Sequence, residues 1–454
     1  MTTREHVREN FRLAYPVMLS NLGHVLMGVT DNIMVGHLNA VSLAAAGLAL
    51  VVFNVLLLFG IGVSFGITPL VAEAHGQNND AKVSQTVRHG LVVNVVNSLL
   101  LFAAVYFGKD LLYHLDQPPE VVALAIPYLT IVTFSLLPVM VFQTYKQFAE
   151  GLGMTKAAMI VVIAANAVNV LLNYVLIYGA MGIPPLGLEG AAWATMTSRV
   201  FMAGAIIYYI QRHRFFRRYQ PLFSFGNYVL HYFRKLLHIG VPSGVQFIFE
   251  VAAFDFSLVM MGWLGTRTQA AHQIAINLAT VSYMTTAGLA AAATIRVGYY
   301  LGARDVANMR GAANTLLLMA LGFMAFWATL FIAGRSWLPE LYVGEPDVIQ
   351  IAASLLVIAG LFQLADGTQV VCASALRGLQ DVKVPSIFIL ISYWLIGLPL
   401  GYALTFYAGV GPTGVWWGLF IGLMLTAMAM YLRLNHKMEK CRLAFQSENA
   451  AVRV

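Results

Sequence analysis

Long apolar stretches separated by short polar connections dominate this chain. Residues 51 to 72, for example, carry no charged side chain. A helix of about 20 such residues, rising 1.5 Å per residue, crosses the hydrocarbon core of a bilayer, which is about 30 Å thick. The pattern predicts twelve membrane-spanning helices at about residues 12–36, 46–70, 89–108, 122–147, 158–180, 189–211, 238–262, 272–296, 313–334, 348–374, 384–408 and 412–434.

The apolar pattern contains an internal repeat. Residues 16 to 82 match residues 242 to 308 without a gap, so one constant offset relates the two segments. Because each half holds an even number of spans, six, the two copies have the same orientation and are related by an axis along the membrane normal. The predicted fold is an all-α integral membrane protein with two pseudo-symmetric six-helix lobes. The coinciding residues include Pro16 with Pro242, Gly62 with Gly288, Thr68 with Thr294 and Gly76 with Gly302.

This repeat predicts the domain organisation. Residues 1–211 form the predicted N-terminal lobe, and residues 238–434 form the C-terminal lobe. Residues 212–237 are a basic linker between the lobes, and residues 435–454 are a tail. Since basic segments are attracted to the anionic cytoplasmic leaflet, we expect the linker to lie there.

Composition and charge agree with a membrane protein. Hydrophobic residues make up 59% of the chain and charged residues only 10%, whereas an ordinary soluble domain has about 25% charged residues. Lys and Arg lie in or at the edges of the N-terminal tail, the even-numbered loops and the C-terminal tail, apart from Lys109, Arg199, Arg267 and Arg335. Positive residues are retained on the cytoplasmic side. We therefore expect both termini to be cytoplasmic, and the net charge of +7 requires no nucleic acid partner.

The two cysteines and the N-terminal region add two expectations. Cys372 lies within a span and Cys441 in the tail, which excludes a disulfide framework. The first span follows a short basic tail and is too long for a cleaved signal, so we expect it to remain as an anchor.

Acidic residues within the spans are the main candidates for function. A charged side chain at the bilayer centre costs about 2.5–3.5 kcal/mol on insertion scales and persists mainly where it faces protein or water. Asp31, Glu250 and Asp366 have apolar neighbours and no Lys or Arg within one helical turn. A buried carboxylate without a basic partner binds a cation, shares a proton or lines water. The alternative is that each acid only fixes helix packing through hydrogen bonds.

Three other charged residues are weaker candidates. Asp255 follows Glu250 by five residues, which is about 140° around a helix of 3.6 residues per turn, so it either joins the functional site or pairs with a neighbour. Arg296 lies at a cytoplasmic span end and can snorkel, and Arg199 lies within half a span of its nearer end. We interpret both arginines as structural.

Amide side chains accompany these acids. Asn166, Asn169 and Asn173 share one stripe of the fifth span. In the tenth span Gln363 and Gln369 flank Asp366 at three-residue spacing, and Gln246 lies one turn before Glu250. Each half could thus supply several oxygen ligands to a small hard cation such as Na⁺. Hydrogen bonding between helices is the alternative role.

Three motifs, in order, resemble one known family. They are PVMLSNLGHVLMGVTDNIMVGHL at 16–38, FEVAAFDFSLVMMGWLGTRTQAAHQIAINL at 249–278 and LFQLADGTQVVCASALRGLQDVKVP at 361–385. They are similar to the multidrug and toxic compound extrusion (MATE) family, in particular its NorM-like bacterial branch, over essentially the whole chain.

The resemblance implies a twelve-helix bacterial inner-membrane transporter that works as a monomer. It implies export of organic cations and other drugs in exchange for Na⁺ or protons, through a cavity that opens alternately to either side. Matched motif to motif, Asp31, Glu250 and Asp366 are the acids of cation coupling. Asn169 and Asn173 match the asparagine pair of the fifth span, and Thr195 matches the threonine of the sixth span near the first acid.

Glu250 together with Asp366 favours Na⁺ over the protons used by the DinF-like branch, with Glu250 and Asp366 as the Na⁺ ligands. Asp255 departs from the family pattern, in which this position is small or apolar, and leaves the coupling ion and its stoichiometry open. Aromatic and methionine side chains such as Met27, Phe247, Phe254 and Met260 would give a broad apolar contact surface for many substrates.

Other function classes fit the residues less well. A lipid-linked precursor flippase of the wider superfamily would need a cationic cavity for a pyrophosphate headgroup, whereas the deep charges here are mostly acidic. A channel would need a continuous polar pore, and the spans are too apolar to form one. The motifs of intramembrane enzymes and of nucleotide-binding loops are absent from the sequence, so we expect neither catalysis nor a cofactor.

Overall fold

The structure is a computed structural model that describes residues 1–114, 117–180, 182–220 and 228–452, with side chains as far as residue 447. Twelve long helical segments occur in these ranges, and each matches one predicted span in order. They are α1 (Thr3–Gly36), α2 (Ala40–Gly76), α3 (Asp80–His114), α4 (Pro119–Gly151), α5 (Lys156–Tyr178), α6 (Gly187–Arg212), α7 (Leu230–Gly262), α8 (Thr266–Gly302), α9 (Val306–Ala333), α10 (Pro346–Gly378), α11 (Lys383–Tyr407) and α12 (Pro412–Val452).

Within the described ranges, ten of these helices are long and apolar enough to cross a membrane by length and composition alone. The other two, α1 and α6, are more polar but have 34 and 26 residues. A helix of that length is longer than a bilayer requires. The predicted all-α, twelve-helix fold is confirmed.

Several helices contain local interruptions. A break at Ser135 divides α4 into Pro119–Phe134 and Leu136–Gly151. Helix α11 contains π-helical segments at Leu390–Gly397 and Ala403–Tyr407. Between them lies Pro399, whose ring nitrogen cannot donate a backbone hydrogen bond.

The internal repeat is visible in backbone geometry. Asn78 and Arg304, which occupy equivalent positions of the two copies, both have positive φ, at 53° and 57°. At the next position, the side chain of Asn79 accepts a hydrogen bond from the Lys82 amide, and that of Asp305 accepts one from the Asn308 amide. Such side chains satisfy amides that a helix start leaves unpaired. The same turn therefore begins α3 and α9.

The chain folds into two compact units. One unit contains Met1–Met18 with Val245–Val454, and the other contains Leu19–Gly244. The divisions after residues 18 and 244 fall at equivalent positions of the repeat, two positions after Pro16 and Pro242. The first part of α1 thus belongs to the unit that contains most of the second repeat. The first part of α7 belongs to the unit that contains most of the first repeat. The predicted lobe ranges, 1–211 and 238–434, remain a prediction, and residues 221–227 of the predicted linker lie outside the described residues.

Equivalent glycines make room for these two helix starts. In the unit of residues 19–244, a Cβ atom on Gly62 would lie 2.7 Å from the backbone nitrogen of Gly244 on α7. In the other unit, a Cβ on Gly288 would lie 2.7 Å from the Ala14 carbonyl oxygen on α1. Both positions require close backbone approach, which explains why the repeat keeps glycine at each.

Arg296 attaches the N-terminal end of α1 to its unit. Its guanidinium donates to the His6 carbonyl (3.1 Å), to the Asn10 side-chain oxygen (2.6 Å) and to the Tyr300 hydroxyl (3.0 Å). Only 5% of Arg296 is exposed. The side chain is therefore structural, as predicted, but it is buried against α1 and does not snorkel to the surface.

Candidate functional site

Asp31 lies at the centre of a polar cluster in the unit of residues 19–244. The Asn173 side-chain nitrogen donates to one carboxylate oxygen (2.5 Å), and the Thr195 hydroxyl donates to the other (3.0 Å). Asn173 also donates to the Asn169 side-chain oxygen (3.2 Å). All four residues are buried. The structure thus brings together the acid, asparagine pair and threonine that the sequence singled out from α1, α5 and α6.

The asparagine pair retains hydrogen-bonding capacity. Within the described residues, the Asn169 side-chain nitrogen and the Asn173 side-chain oxygen are buried without a hydrogen-bond partner. Most buried polar atoms in proteins bond to protein or to ordered water, so these two atoms have capacity to bind a water or an ion. The Asn173 oxygen and the Asp31 carboxylate are oxygen ligands of the type that a small hard cation takes.

Arg199 changes the electrostatics of this cluster. It lies on α6 one turn after Thr195 and interacts electrostatically with Asp31. Its guanidinium donates to the Ser135 hydroxyl (2.6 Å) and lies 4.8 Å from the centre of the Phe53 ring. The expectation that Asp31 has no basic neighbour is therefore wrong, because that expectation considered only residues close in sequence.

A second polar cluster lies in the other unit, where α7, α10 and α11 meet. The Gln369 side-chain nitrogen donates to the Glu250 carboxylate (2.9 Å), and the Tyr393 hydroxyl donates to the Gln369 side-chain oxygen (3.1 Å). Asp366, one turn before Gln369 on α10, interacts electrostatically with Glu250. Two like-charged carboxylates in one low-dielectric region repel each other. A bound cation or a shared proton relieves that repulsion.

Arg377 is the charged residue that sequence reasoning missed in this cluster. It is buried on α10, interacts electrostatically with Glu250, and lies 5.8 Å from the centre of the Phe247 ring. The expectation that Glu250 has no basic neighbour is thus also wrong. The available signal was the eight-residue spacing from Gln369 to Arg377, which places both near one helix face.

The remaining candidates occupy different environments. Gln363 is buried and accepts a hydrogen bond from the Ser282 hydroxyl (3.0 Å), and its nitrogen has no partner among the described residues. Gln246 is buried on α7, one turn before Glu250. Asp255 is exposed, and it forms no hydrogen bond or ion pair with any described residue. The suggested pairing of Asp255 with a neighbour is not seen among the described residues.

The donor types limit the metals that fit. Among the described residues, no three or more His, Cys, Asp or Glu side chains are grouped to hold a metal ion. Each cluster instead combines one or two carboxylates with amide and hydroxyl oxygens. Such a set suits a small hard cation better than a transition metal.

These features define a class of protein. Two repeated helical units in a membrane, each with buried or partly buried carboxylates among amide and hydroxyl groups, are typical of a secondary transporter. The MatE family model matches residues 16–175 and 242–403, and the chain belongs to this family. Family membership makes it a transporter and not an enzyme, as predicted.

Curated relatives resemble the chain along most of its length. It is 35% identical over 433 residues to the probable multidrug resistance protein NorM of Rhizobium meliloti, covering 94% of this chain and 93% of the relative. It is 31% identical over 443 residues to the multidrug resistance protein NorM of Photobacterium profundum, covering 95% and 96%. The NorM-like resemblance of the sequence is thereby confirmed.

Solved structures show the same fold. The chain superposes on a crystal structure of MATE in the bent conformation with a TM-score of 0.88 at 20% identity, covering 98% of this chain and 99% of the other. It superposes on the eukaryotic MATE transporter AtDTX14 with a TM-score of 0.86 at 18% identity, covering 98% and 99%.

Proposed function

We propose that this chain is a secondary active multidrug efflux antiporter that exports organic cations and other drugs in exchange for Na⁺. The observation that carries the proposal is the Glu250 cluster, in which two partly buried acids share one region with the Gln369 amide. The multidrug resistance names of the NorM relatives support the substrate class. Protons are the second candidate for the coupling ion.

Glu250 and Asp366 are the proposed Na⁺ ligands. Their carboxylates would supply negative charge, and the Gln369 amide fixes the orientation of Glu250. Na⁺ binding would cancel the repulsion between the two acids, while Arg377 limits the negative charge of the empty site. Asp31, with the Asn173 oxygen, is the proposed coupling group of the first repeat.

Exchange requires that the drug and the ion favour different states or compete for the same acids. A ligand with equal affinity for both states shifts neither. Na⁺ entering from outside would neutralise the acids and weaken their attraction for a cationic drug, which then leaves outward. At a potential of 100 mV, one net inward charge per exchange, such as two Na⁺ for one monovalent drug, supplies about 2.3 kcal/mol. That energy supports a concentration ratio of a few tens-fold.

The proposed location is the bacterial inner membrane, with both termini in the cytoplasm. Support comes from the distribution of Lys and Arg along the chain, which places most of them on one side of the twelve spans. We further propose that the protein works as a monomer surrounded by membrane lipids, as the family resemblance implies.

Ethidium movement in proteoliposomes tests the proposed function. Wild type is compared with Glu250→Gln plus Asp366→Asn under an imposed Na⁺ gradient and, separately, under a pH gradient. The control is Glu340→Gln plus Glu345→Gln, which removes two exposed acids from the same unit. We expect Na⁺-driven movement in wild type and control, and its loss in the first variant.

Two other results of this experiment would contradict Na⁺-driven drug antiport. Movement driven only by the pH gradient assigns coupling to protons. Absence of movement under either gradient contradicts drug antiport, and transport of a lipid-linked precursor becomes the function to test.

A further inference from the structure

Asp255 is the acidic residue of α7 that the Glu250 cluster does not use. It lies seven residues before the end of α7 at Gly262, about 10 Å along the helix axis. It is exposed and has no partner among the described residues. The nearest basic residue later in the chain, Arg267, is paired with Asp347 at 2.5 Å.

The free-energy cost of placing a carboxylate in lipid bears on what the face of α7 that contains Asp255 contacts. A carboxylate that faces lipid at the bilayer centre carries a penalty of about 2.5–3.5 kcal/mol. Asp255 is exposed, and no described residue pairs with it to offset such a penalty. Contact with water or with a cationic ligand would remove the penalty.

An aromatic surface continues from Asp255 along the same helix. Val259 and Trp263 follow at four-residue spacing, so the three side chains form one stripe about 12 Å long. Phe256 lies beside the stripe, with its ring centre 6.3 Å from that of Trp263. Val259, Trp263 and Phe256 are 48%, 57% and 40% exposed. These are large apolar side chains available for contact.

Helix α11 extends and fixes this aromatic surface. The Phe406 and Tyr402 ring centres lie 6.0 and 6.4 Å from that of Trp263. The Trp394 ring centre lies 6.2 Å from that of Phe256, and its indole nitrogen donates to the Phe249 carbonyl (2.9 Å). That hydrogen bond ties α11 to α7, so the rings are held before any ligand arrives.

We propose that Asp255 and the aromatic surface of α7 and α11 form a recognition site for flat, monovalent organic cations. The carboxylate attracts the positive charge, and the ring faces stack on the aromatic body of the ligand and attract its charge. Charge complementarity selects this occupant, because no described residue pairs with the exposed acid and Arg267 is paired with Asp347. The inference rests on the proposed drug transport and adds a specificity-determining residue to it.

Binding to the purified full-length protein in detergent tests the site without any ion gradient. The probes are ethidium, a flat monovalent cation, and phenanthridine, its uncharged parent ring system. We expect Asp255→Asn to weaken ethidium binding about tenfold, as loss of one charge attraction at a partly exposed site implies. Phenanthridine binding should be unchanged. Trp263→Ala should weaken both probes, and Asp255→Glu should restore ethidium binding.

The controls distinguish loss of this site from nonspecific effects of a substitution. They also distinguish it from failure of the proposed transport function. Glu345→Gln removes an exposed acid of the same unit and should leave both affinities unchanged. If Asp255→Asn keeps ethidium affinity within twofold while wild type still transports ethidium, the site is wrong and the transport proposal stands. If Trp263→Ala changes neither affinity, the aromatic side chains serve only to contact the membrane interface, which also contradicts the site. If wild type neither binds nor transports ethidium, both proposals fail.

Discussion

Asn173 on α5 donates a 2.5 Å hydrogen bond to Asp31 on α1, although 142 residues separate them in the chain. In the other unit, Gln369 donates in the same way to Glu250 from 119 residues away. Each acid is thus oriented by a carboxamide from a different helix. This arrangement predicts that the amides act through the acids, and that the two clusters can be altered separately.

Asn173→Ala should slow gradient-driven ethidium movement about tenfold, the usual effect of losing a hydrogen bond to a buried charge. Because Asn173 acts through Asp31, the double variant with Asp31→Asn should be no slower than Asp31→Asn alone. Initial rates of ethidium movement in proteoliposomes test both expectations. Asn166→Ala is the control. Asn166 lies on the same stripe of α5 as Asn173, but its side chain donates to the Gly23 carbonyl and not to Asp31. Additive effects of the two substitutions would show that Asn173 acts independently of the acid.

Gln369→Leu should raise the Na⁺ concentration for half-maximal transport about tenfold, because Glu250 loses the amide that orients it. The maximal rate should fall less. The control is Thr368→Val, since among the described residues the Thr368 hydroxyl bonds only to the Leu364 carbonyl of its own helix. An unchanged Na⁺ dependence in Gln369→Leu would remove Gln369 from the ion site.

Gly288→Ala should destabilise the unit that contains the start of α1. The new methyl would lie 2.7 Å from the Ala14 carbonyl oxygen, and overpacking of this kind costs about 1–3 kcal/mol. The melting temperature in detergent measures this loss of stability. Gly322→Ala is the matched control, because its new methyl group would have no neighbouring atom within 4 Å and alanine favours a helix. Equal melting temperatures for the two variants would contradict the close packing of α1 on α8.

His6 should make the stability of the N-terminal attachment depend on pH. Burial, the Arg296 charge and the chain's N-terminal amine lower the pKa of His6 below its usual value, while a hydrogen bond with the Asn308 side chain and the Glu5 charge oppose them. The unfolded state therefore binds more protons as the pH falls below about 6.5, and the folded state loses stability in that range.

The measurement is the difference in melting temperature between pH 7.5 and pH 5.5 in detergent. His6→Gln should reduce this difference, because glutamine does not titrate. His436→Gln, which replaces an exposed histidine of the same unit, should leave it unchanged. A full pH effect in His6→Gln would assign the effect to other groups.

The sequence by itself determined the number and order of the helices and the internal repeat that relates the two halves. These features depend on local properties: the length of apolar segments, and the recurrence of Pro, Gly and cap residues at fixed spacing. The sequence also identified Asp31, Glu250 and Asp366, because a carboxylate within an apolar span is conspicuous whatever its partners are.

Only the tertiary structure decided which charges and surfaces surround those acids. Arg199 and Arg377 interact electrostatically with Asp31 and Glu250 from other helices, and Asp255 lies on an exposed face five residues from Glu250. The first parts of α1 and α7 also join the unit of the opposite repeat. Helical periodicity alone does not settle these relationships, because each depends on which helix faces are packed together across segments that lie far apart in the chain.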